Sequence, residues 1–456
     1  MRFVGVLLAF IVTLSSCREI LEPPPVDLLV DDLVLNEASD VGPVRLGLYN
    51  AFRGLGSFIV IAGDFTPDYI QHNGTFTVYN ELGNKQITSA NAAAEGLWGA
   101  IYNTVYIANF IEERISDVPG VTEATRKQVL AEARFLRGFA NFVGAYSFGG
   151  IPKVTTTNIE TNRVIPKASQ TEILQSVLAD YSAALPDLPA TNSNRITAKS
   201  FATQNAARAA LARYYLYQGD WAQAEQYATQ IINTRLQSLP ESYADVAFQE
   251  FDDESILEVA YANNSSDDPG TSTFGLNNVL VGRREVIPAN TYILTMLETN
   301  AGERRQTISF NAQLQRGRDN GWSAVKYGSP DQANNNITIF RLAEQYLIRA
   351  EARARQGRIV GTNGAQADLN VLRTRAKAPT LTVTTQENAL LAVERERVYE
   401  LSFEGHRWYD LKRTGRIQPV MSAFSPNWDQ KFVLWPIPQS EIQRNPALSG
   451  AQNPGY

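Results

Sequence analysis

The chain is poor in the residues that build metal sites and disulfide bonds. Its 456 residues include one cysteine, Cys17, and two histidines, His72 and His406. A single cysteine cannot form an intramolecular disulfide bond. Neither histidine has a cysteine or a second histidine near it in the sequence, as a zinc site would require. We therefore expect no metal ion and no cofactor.

Sequence motifs of common catalytic sites are also missing. The chain has no GxSxG nucleophile motif, no phosphate-binding P-loop and no GxGxxG dinucleotide motif. Acidic neighbours occur at 252–254 and 267–268, and they could act as paired carboxylates or bind calcium. Acidic turns are more often simply solvated, so we expect that the protein is not an enzyme.

Charge is sparse and not basic. Charged residues make up 19% of the chain, and 41 basic against 47 acidic residues give a net charge of −6. A protein that binds nucleic acid would carry a basic excess. Hydrophobic residues, at 44%, are typical of a globular protein. We expect no nucleic-acid partner.

The first apolar run is too short to cross a membrane. Residues 3–14 follow Met1 and Arg2, and this pattern is typical of an export signal. The run ends in LSSC (14–17), which resembles a bacterial lipobox. Cleavage before Cys17 would make residues 1–16 a signal peptide and Cys17 a lipidated N-terminus; an ordinary signal peptide with an incidental cysteine is the alternative. Residues 17–40, with three prolines at 23–25, then form an anchor and tether. No later stretch is expected to be apolar enough to cross a membrane.

Paired amphipathic helices are the main pattern in the rest of the chain. In residues 205–233, small and apolar residues recur every three to four positions on both sides of Gly219-Asp220. This pair resembles a tetratricopeptide repeat, whose copies must stack to bury a shared core. Further helices are predicted at 95–109 with 126–146, and at 340–357 with 365–376.

Two stretches break the helical pattern. Residues 63–94 mix turn formers with aromatic residues, and 236–336 alternate short β-like runs, such as 255–259, with polar loops. Long loops in compact domains are usually functional. We predict a mainly α, single domain over residues 41–456: a tetratricopeptide-like helical repeat scaffold with an irregular, loop-rich ligand-binding insertion containing short strands.

A family resemblance rests on several motifs in a fixed order. A last helix is predicted at 388–412, and it places Arg397, Glu400, Glu404 and Arg407 along one face at steps of three, four and three. The motifs are ERERVYELSFEGHRWYDLKR (394–413), LWPIP (434–438), NP (445–446) and QNPGY (452–456), preceded by CREILE (17–22), EARFLR (132–137), GGIP (149–152), RLAEQYL (341–347) and LNVLR (369–373). Together they resemble the RagB/SusD family along essentially the whole chain.

The resemblance implies a SusD-like fold and a role in nutrient uptake. Such proteins are lipid-anchored on the outer face of a Gram-negative outer membrane. They cap a SusC-like TonB-dependent transporter and deliver captured nutrient, most often an oligosaccharide, into its barrel. The matched motifs are mostly scaffold, so they identify the type of machine and not its cargo.

Candidate ligand-binding residues are aromatic or polar residues outside the helical pattern. Sugar rings stack on exposed aromatic side chains while polar neighbours bind the hydroxyl groups. Trp322, in the turn-like DNGW (319–322), is the best placed, followed by Tyr69, His72 and Phe274. We expect ligand between residues 63–94 and the insertion around Phe274 and Trp322. The remaining candidates are expected to pack in the core: Trp98, Trp221, Trp408 and Trp435.

Other functions stay open at this point. A tetratricopeptide-type assembly lipoprotein that binds only proteins would share the anchor and the repeats. Uptake of peptide in place of glycan is a second alternative, and a glycoside hydrolase is a third. Co-purification with an outer-membrane barrel, binding of a periplasmic partner, or release of reducing sugar would distinguish them.

Overall fold

The computed structural model describes residues 34–192, 199–261, 273–327 and 336–456. The described chain is mostly helical, as predicted, with a few short strands. The helices are α1 (Val41–Arg53), α2 (Gly56–Val60), α3 (Thr77–Gly83), α4 (Ala92–Arg114), α5 (Glu123–Phe148), α6 (Ile159–Asn162), α7 (Gln170–Ala184), α8 (Gln204–Gln218), α9 (Trp221–Thr234), α10 (Tyr243–Phe248), α11 (Asn290–Met296), α12 (Leu342–Arg355), α13 (Ala365–Arg375), α14 (Gln386–Leu401), α15 (Arg407–Arg413), α16 (Ile417–Phe424) and α17 (Gln439–Arg444).

The strands form two-stranded antiparallel sheets within and around the predicted insertion. They are β1 (Ile70–His72), β2 (Ser255–Val259), β3 (Val286–Pro288), β4 (Ile308–Phe310), β5 (Trp322–Ala324) and β6 (Ile337–Arg341). β1 pairs with β3, β2 with β6, and β4 with β5. The β1–β3 pair joins the segment 63–94 to the insertion.

The central helix pair forms where the sequence pattern places it. α8 and α9 pack together and meet at Gly219, whose φ of 75° allows the tight turn. Thr203 caps α8 through the Ala206 N–H, and Asp220 caps α9 through the Gln223 N–H. The prediction for residues 205–233 is confirmed.

Neighbouring helices continue the stack on both sides of this pair. α4 packs on α5, α5 on α7, and α7 on α8; on the other side, α9 packs on α12, which contacts α13 and α14. Phe139 of α5 lies 5.7 Å from Phe340 of β6, ring centroid to centroid, so the hydrophobic core is continuous with the insertion. The repeat-like scaffold therefore also supports the irregular part of the chain.

Helix packing at the N-terminus involves an unusually apolar stretch. Contrary to the expectation from the sequence, residues Ala38–Phe65 are long and apolar enough to cross a membrane by length and composition. Most of this stretch is nevertheless buried inside the protein, and α1 packs against α4. It behaves as a core element of the fold.

The C-terminal motif forms two helices, and the predicted single helix over 388–412 is wrong. α14 ends at Leu401 and α15 begins at Arg407. Between them Phe403 and Gly405 have φ values of 61° and 82°, which no helix accommodates. The helical periodicity of the sequence does not reveal this turn because the apolar positions resume in register after it.

Residues 63–94 also differ from the prediction, since they are not an irregular loop. A π-helical turn, Ile61–Phe65, is followed by β1 and α3, and most of these side chains are buried. Asp64 accepts hydrogen bonds from the backbone N–H groups of Gly405, His406 and Arg407. The polar composition of this segment is therefore used for internal contacts as well as for the surface.

The four charged residues predicted along one face of the last helix do not pair with one another; each pairs with other residues. Arg397 binds Asp410, and Arg407 binds Asp68 and Glu394. The four side chains predicted along one face, at 397, 400, 404 and 407, are each buried. Further pairs of this network are Glu400 with Arg304, Arg341 and Arg375, Glu404 with Arg341 and Lys326, Glu254 with Arg341 and Arg375, and Glu396 with Arg304 and Arg373.

Tryptophans expected in the core divide into two groups. Trp408 and Trp435 are fully buried, and the indole N–H of Trp435 donates to the Thr66 hydroxyl at 3.1 Å. Trp98 is also buried, at the edge of a surface groove. Trp221 is only half-buried and carries the Arg355 guanidinium 5.2 Å from its ring centroid.

Candidate functional site

An aromatic pair lies on the surface of the β4–β5 hairpin. Phe310 and Trp322 are opposite each other in the antiparallel register, with ring centroids 5.2 Å apart. Phe310 is 48% exposed and Trp322 is half-buried. Trp322 packs against the hydrophobic core on one side, and the pair offers a ligand an apolar face on the other.

Buried polar contacts fix the backbone that carries Trp322. Arg284 donates to the Trp322 carbonyl at 2.9 Å and to both carboxylate oxygens of Asp319 at 2.9 and 2.6 Å. The Gly321 N–H donates to Asp319 at 2.8 Å, and Asn320 donates to the Pro288 carbonyl at 2.8 Å. Burial opposes ionisation of Asp319, but hydrogen bonds from Arg284 and Gly321 lower the pKa of its carboxyl group. The hairpin is thus held in place by the Arg284–Asp319 ion pair.

The hairpin contacts the end of β1. Asn73 donates to Asp319 at 3.1 Å and to the Arg284 carbonyl at 3.0 Å. Close by, the Arg283 guanidinium lies 4.3 Å from the ring centroid of Phe76, and the Phe76 N–H donates to Glu285 at 2.8 Å. The segment 63–94 and the insertion therefore meet beside the aromatic pair.

His72 lies in β1, next to this contact. Its Nδ1 is 3.2 Å from the Asn80 side-chain nitrogen, and its Nε2 is buried with no hydrogen-bond partner in the described part of the chain. Burial lowers the pKa of the imidazole, and the Arg318 cation in the hairpin lowers it further. The ring is therefore neutral near pH 7. It can hydrogen-bond a ligand only if the cover over Nε2 moves.

Tyr69 is a core residue, which corrects its prediction as a surface stacking residue. It is 3% exposed, and its ring lies 4.7 Å from Tyr292 and 5.9 Å from Phe403, centroid to centroid. Burial raises the pKa of its hydroxyl well above the usual value. The polar neighbours that suggested a loop, Asp64 and Asp68, are themselves engaged in internal contacts.

Phe274 is half-buried and packs against Phe58, with ring centroids 4.9 Å apart. Its neighbour Thr273 accepts a hydrogen bond from the Tyr79 hydroxyl at 2.7 Å. Phe274 thus lies against the N-terminal helices, and Phe310 is the aromatic partner that the structure gives to Trp322. Cys17 lies outside the described residues.

Two family models match this chain. Residues 314–456 match the model of the SusD family. Residues 62–216 match a SusD-like model described as starch-binding and associating with the outer membrane. The chain belongs to the RagB/SusD family. Both matches cover parts of the helical scaffold that were predicted from repeats and motifs.

One relative of this SusD-family protein aligns along nearly its whole length, and a second aligns along part of it. SusD-like protein P25 of Formosa agariphila is 26% identical, with 97% of each chain covered. Starch-binding protein SusD of Bacteroides thetaiotaomicron is 36% identical over 138 residues, which are 27% of this chain and 22% of that protein.

Solved structures share the fold. A laminarin-binding SusD-like protein, 24% identical, superposes with a TM-score of 0.78 over 92% of this chain and 100% of that one. Surface glycan-binding protein A from Bacteroides fluxus, 25% identical, superposes with a TM-score of 0.76 over 91% of this chain and 99% of that one. The SusD-like architecture predicted from the sequence is confirmed.

From the sequence of this SusD-family chain, Trp322 was selected as a candidate binding residue and Phe310 was not. The alternation Ile308, Ser309, Phe310 is a strand pattern, and Gly317 and Gly321 mark the return turn. The hairpin could therefore have been predicted from the sequence. The Arg284–Asp319 ion pair could not have been predicted, because it joins residues 35 positions apart in the sequence.

Ion-paired clefts occur elsewhere on the surface. A cleft of about 600 Å³ lies between α14 and α16, and Glu394 binds both Arg407 and Arg416 at its edge. Its charged groups are used to join helices, whereas the hairpin leaves an aromatic pair open. We therefore take the hairpin as the candidate functional site.

Proposed function

We propose that this SusD-family protein captures an oligosaccharide at the cell surface and delivers it to a SusC-like TonB-dependent transporter of the outer membrane. The observation that carries this proposal is the exposed Phe310–Trp322 pair on an ion-paired hairpin. A sugar ring presents an apolar C–H face to an aromatic side chain and hydroxyl groups to polar neighbours. The loop between the two strands adds exposed polar side chains that can bind hydroxyl groups: Asn311, Gln313, Arg316 and Arg318.

Relatives with binding functions in their names support a glycan as the cargo. The similar structures include a laminarin-binding protein and a surface glycan-binding protein, and a partial relative binds starch. A peptide is the second candidate cargo, because the charged Arg316 and Arg318 could bind carboxylates. The aromatic pair favours the glycan.

The chain organisation fits an exported lipoprotein. In this proposal residues 1–16 are the signal peptide, Cys17 carries the lipid, and residues 17–40 tether the body formed by residues 41–456. Acyl chains contribute roughly 0.8 kcal/mol per buried CH₂ to membrane binding. The assembly alternative, a lipoprotein that binds only proteins, lacks a reason for an exposed aromatic pair beside polar side chains.

Binding to soluble polysaccharides tests the cargo. Native electrophoresis through gels that contain single polysaccharides, laminarin and starch among them, should retard the protein in at least one gel relative to a non-binding control protein. Retardation by none of a broad panel, together with binding of peptides in calorimetry, would replace glycan by peptide.

The membrane anchor and the transporter have their own test. Replacing Cys17 with Ala should move the protein from the membrane fraction to the soluble fraction, because no acyl chain can then be attached. Detergent extracts of cells carrying the tagged wild type should yield a TonB-dependent barrel protein on affinity purification. A Cys17→Ala variant that stays in the membrane after a salt wash, with the barrel absent from the wild-type eluate, would contradict this part of the proposal.

A further inference from the structure

A second aromatic surface lies on the helical scaffold, away from the hairpin. We call it the α4 groove, and it is lined by Trp98, Tyr102 and Tyr106 of α4, by Ile159 and Asn162 of α6, and by residues of α17. Its volume is about 320 Å³, which is in the range of small-ligand sites. The three aromatic residues are spaced by four positions, so α4 presents them on one face.

The groove offers apolar surface to solvent. The Trp98 and Tyr102 ring centroids are 5.1 Å apart, and Tyr102 is held by a hydrogen bond from its hydroxyl to the Pro152 carbonyl at 2.9 Å. Tyr106 is half-buried, and Ile159 on the opposite wall is 72% exposed. The exposed Ile159 side chain therefore adds apolar surface to the groove on the side opposite α4.

Charges at the edge of the groove neutralise each other. Arg163 binds Glu160 at 3.1 Å on one wall, and Arg444 binds Glu441 at 2.8 Å on the other. Each wall therefore pairs its cation with an anion one helical turn away. This edge has no net charge with which to select an ionic ligand.

Asn162 adds a hydrogen-bond acceptor at the groove. Its side-chain N–H donates to the Thr156 carbonyl at 2.8 Å, while its Oδ1 is buried and has no partner within residues 34–192, 199–261, 273–327 and 336–456. A water molecule or a ligand with a donor, such as a hydroxyl group, can satisfy this oxygen once the amide turns slightly to meet it. A purely apolar ligand would leave it unsatisfied.

We infer that the α4 groove binds a neutral saccharide ring and acts as a second contact for the glycan chain. This inference rests on the proposed function and adds a site to it. Tyr106 and Tyr102 supply the stacking surface, Ile159 closes the other side, and Asn162 accepts from a hydroxyl group. The paired charges at the edge fit a neutral sugar better than a charged peptide.

The test compares single and double variants on one polysaccharide. Wild type, Trp322→Ala, Tyr106→Ala and the double variant are run in native gels that contain the polysaccharide which retards wild type most, chosen from a panel that includes laminarin and starch. We expect Trp322→Ala to weaken binding by about tenfold and to leave residual retardation. Adding Tyr106→Ala to this variant should abolish the residual retardation. Tyr227→Ala, a half-buried tyrosine on α9, is the matched control and should behave as wild type.

Distinct results would overturn the inference. If Trp322→Ala alone abolishes retardation, or Tyr106→Ala changes nothing in either background while its melting temperature is unchanged, the α4 groove is not a glycan site although the proposed function stands. If Tyr106→Ala instead reduces co-purification of the barrel protein and leaves glycan binding intact, the groove binds a protein. If wild type is retarded by no polysaccharide, the proposed function fails and the inference with it.

Discussion

Single residues at the centre of the molecule are held by buried ion pairs. Arg341 contacts Glu254 at 2.6 Å, Glu400 at 2.7 Å and Glu404 at 2.7 Å, and all of these side chains are buried. Removing one member of such a network leaves its partners charged and unpaired in a medium that solvates them poorly, which costs about 3–5 kcal/mol. Exposed pairs contribute about 0–1 kcal/mol.

Glu404→Ala should therefore lower the free energy of unfolding by about 3–5 kcal/mol, because Lys326 and Arg341 lose their shared partner. Chemical denaturation measures this change. Glu123→Ala is the control, since its pair with Lys127 is exposed and the loss should stay within about 1 kcal/mol. Equal losses in the two variants would mean that the Glu404 network contributes no more than a surface pair.

Lys85 gives a pH-dependent prediction. It is buried, it donates to the Phe65 carbonyl at 3.0 Å, and burial lowers the pKa of its ammonium group to about 7, with Asp68 opposing the shift. Between pH 7 and about 10.5 the unfolded chain binds more protons than the folded chain at this site, so stability rises with pH there and is flat below.

Comparison of wild type with Lys85→Met isolates this titration. The difference in unfolding free energy, wild type minus variant, should rise by up to about 1.4 kcal/mol per pH unit from pH 7 towards pH 10. Urea denaturation at several pH values measures it. Lys127→Met, at an exposed lysine, is the control for removal of a surface cation. A flat difference for Lys85→Met would show that burial does not shift the titration of its ammonium group.

Elements of the fold were predictable wherever the hydrophobic period is uninterrupted. α8 and α9 could be placed from their apolar spacing and from Gly219-Asp220 alone. The break between α14 and α15 could not be placed from the sequence. It depends on Asp64, which lies 341 to 343 residues away and binds three backbone N–H groups of the turn. Contacts over such distances leave no periodic signal in the sequence.

The candidate site shows the same division. Trp322 stood out because turn formers surround it, and Tyr69 was misplaced for the same reason, since its polar neighbours suggested a loop. The difference between them is the partner that each residue meets in space: Tyr69 meets Tyr292 and Phe403, while Trp322 meets only Phe310 among the ring contacts of the described chain.

Close approach of two glycines joins the π-helical turn to the α14–α15 turn. A Cβ atom on Gly63 would lie 2.3 Å from the carbonyl carbon of Gly405, a backbone atom that cannot move cheaply. Gly63→Ala should therefore destabilise the protein by at least about 1–3 kcal/mol. Gly99→Ala, inside α4 with no atom within 4 Å of its Cβ position, should instead stabilise it by about 0.5–1 kcal/mol. Thermal melts of both variants measure the contrast, and a shift of the same sign in both would contradict it.

The whole molecule combines a helical scaffold with an insertion that carries the exposed aromatic pair. The hydrophobic core runs through both parts, so the hairpin is mounted on a rigid body. Rigid mounting matters because a preformed site loses less conformational entropy when a ligand binds. At this scale, the proposed capture of glycan depends on whether the Phe310–Trp322 pair contributes binding energy beyond what Trp322 contributes to folding through its contact with the core.

Calorimetric titration of an oligosaccharide from the polysaccharide that binds best tests this central claim most directly. Trp322→Ala should weaken binding by about tenfold or more, because a stacked aromatic ring is worth about 1–3 kcal/mol, and its melting temperature should fall no further than that of Trp428→Ala, since both rings pack partly against the core. Trp428→Ala, another half-buried tryptophan that contacts Gln418 and Phe432, should bind as wild type does. Unchanged affinity in Trp322→Ala, or equal loss in both variants, would contradict the assignment of the hairpin as the binding site.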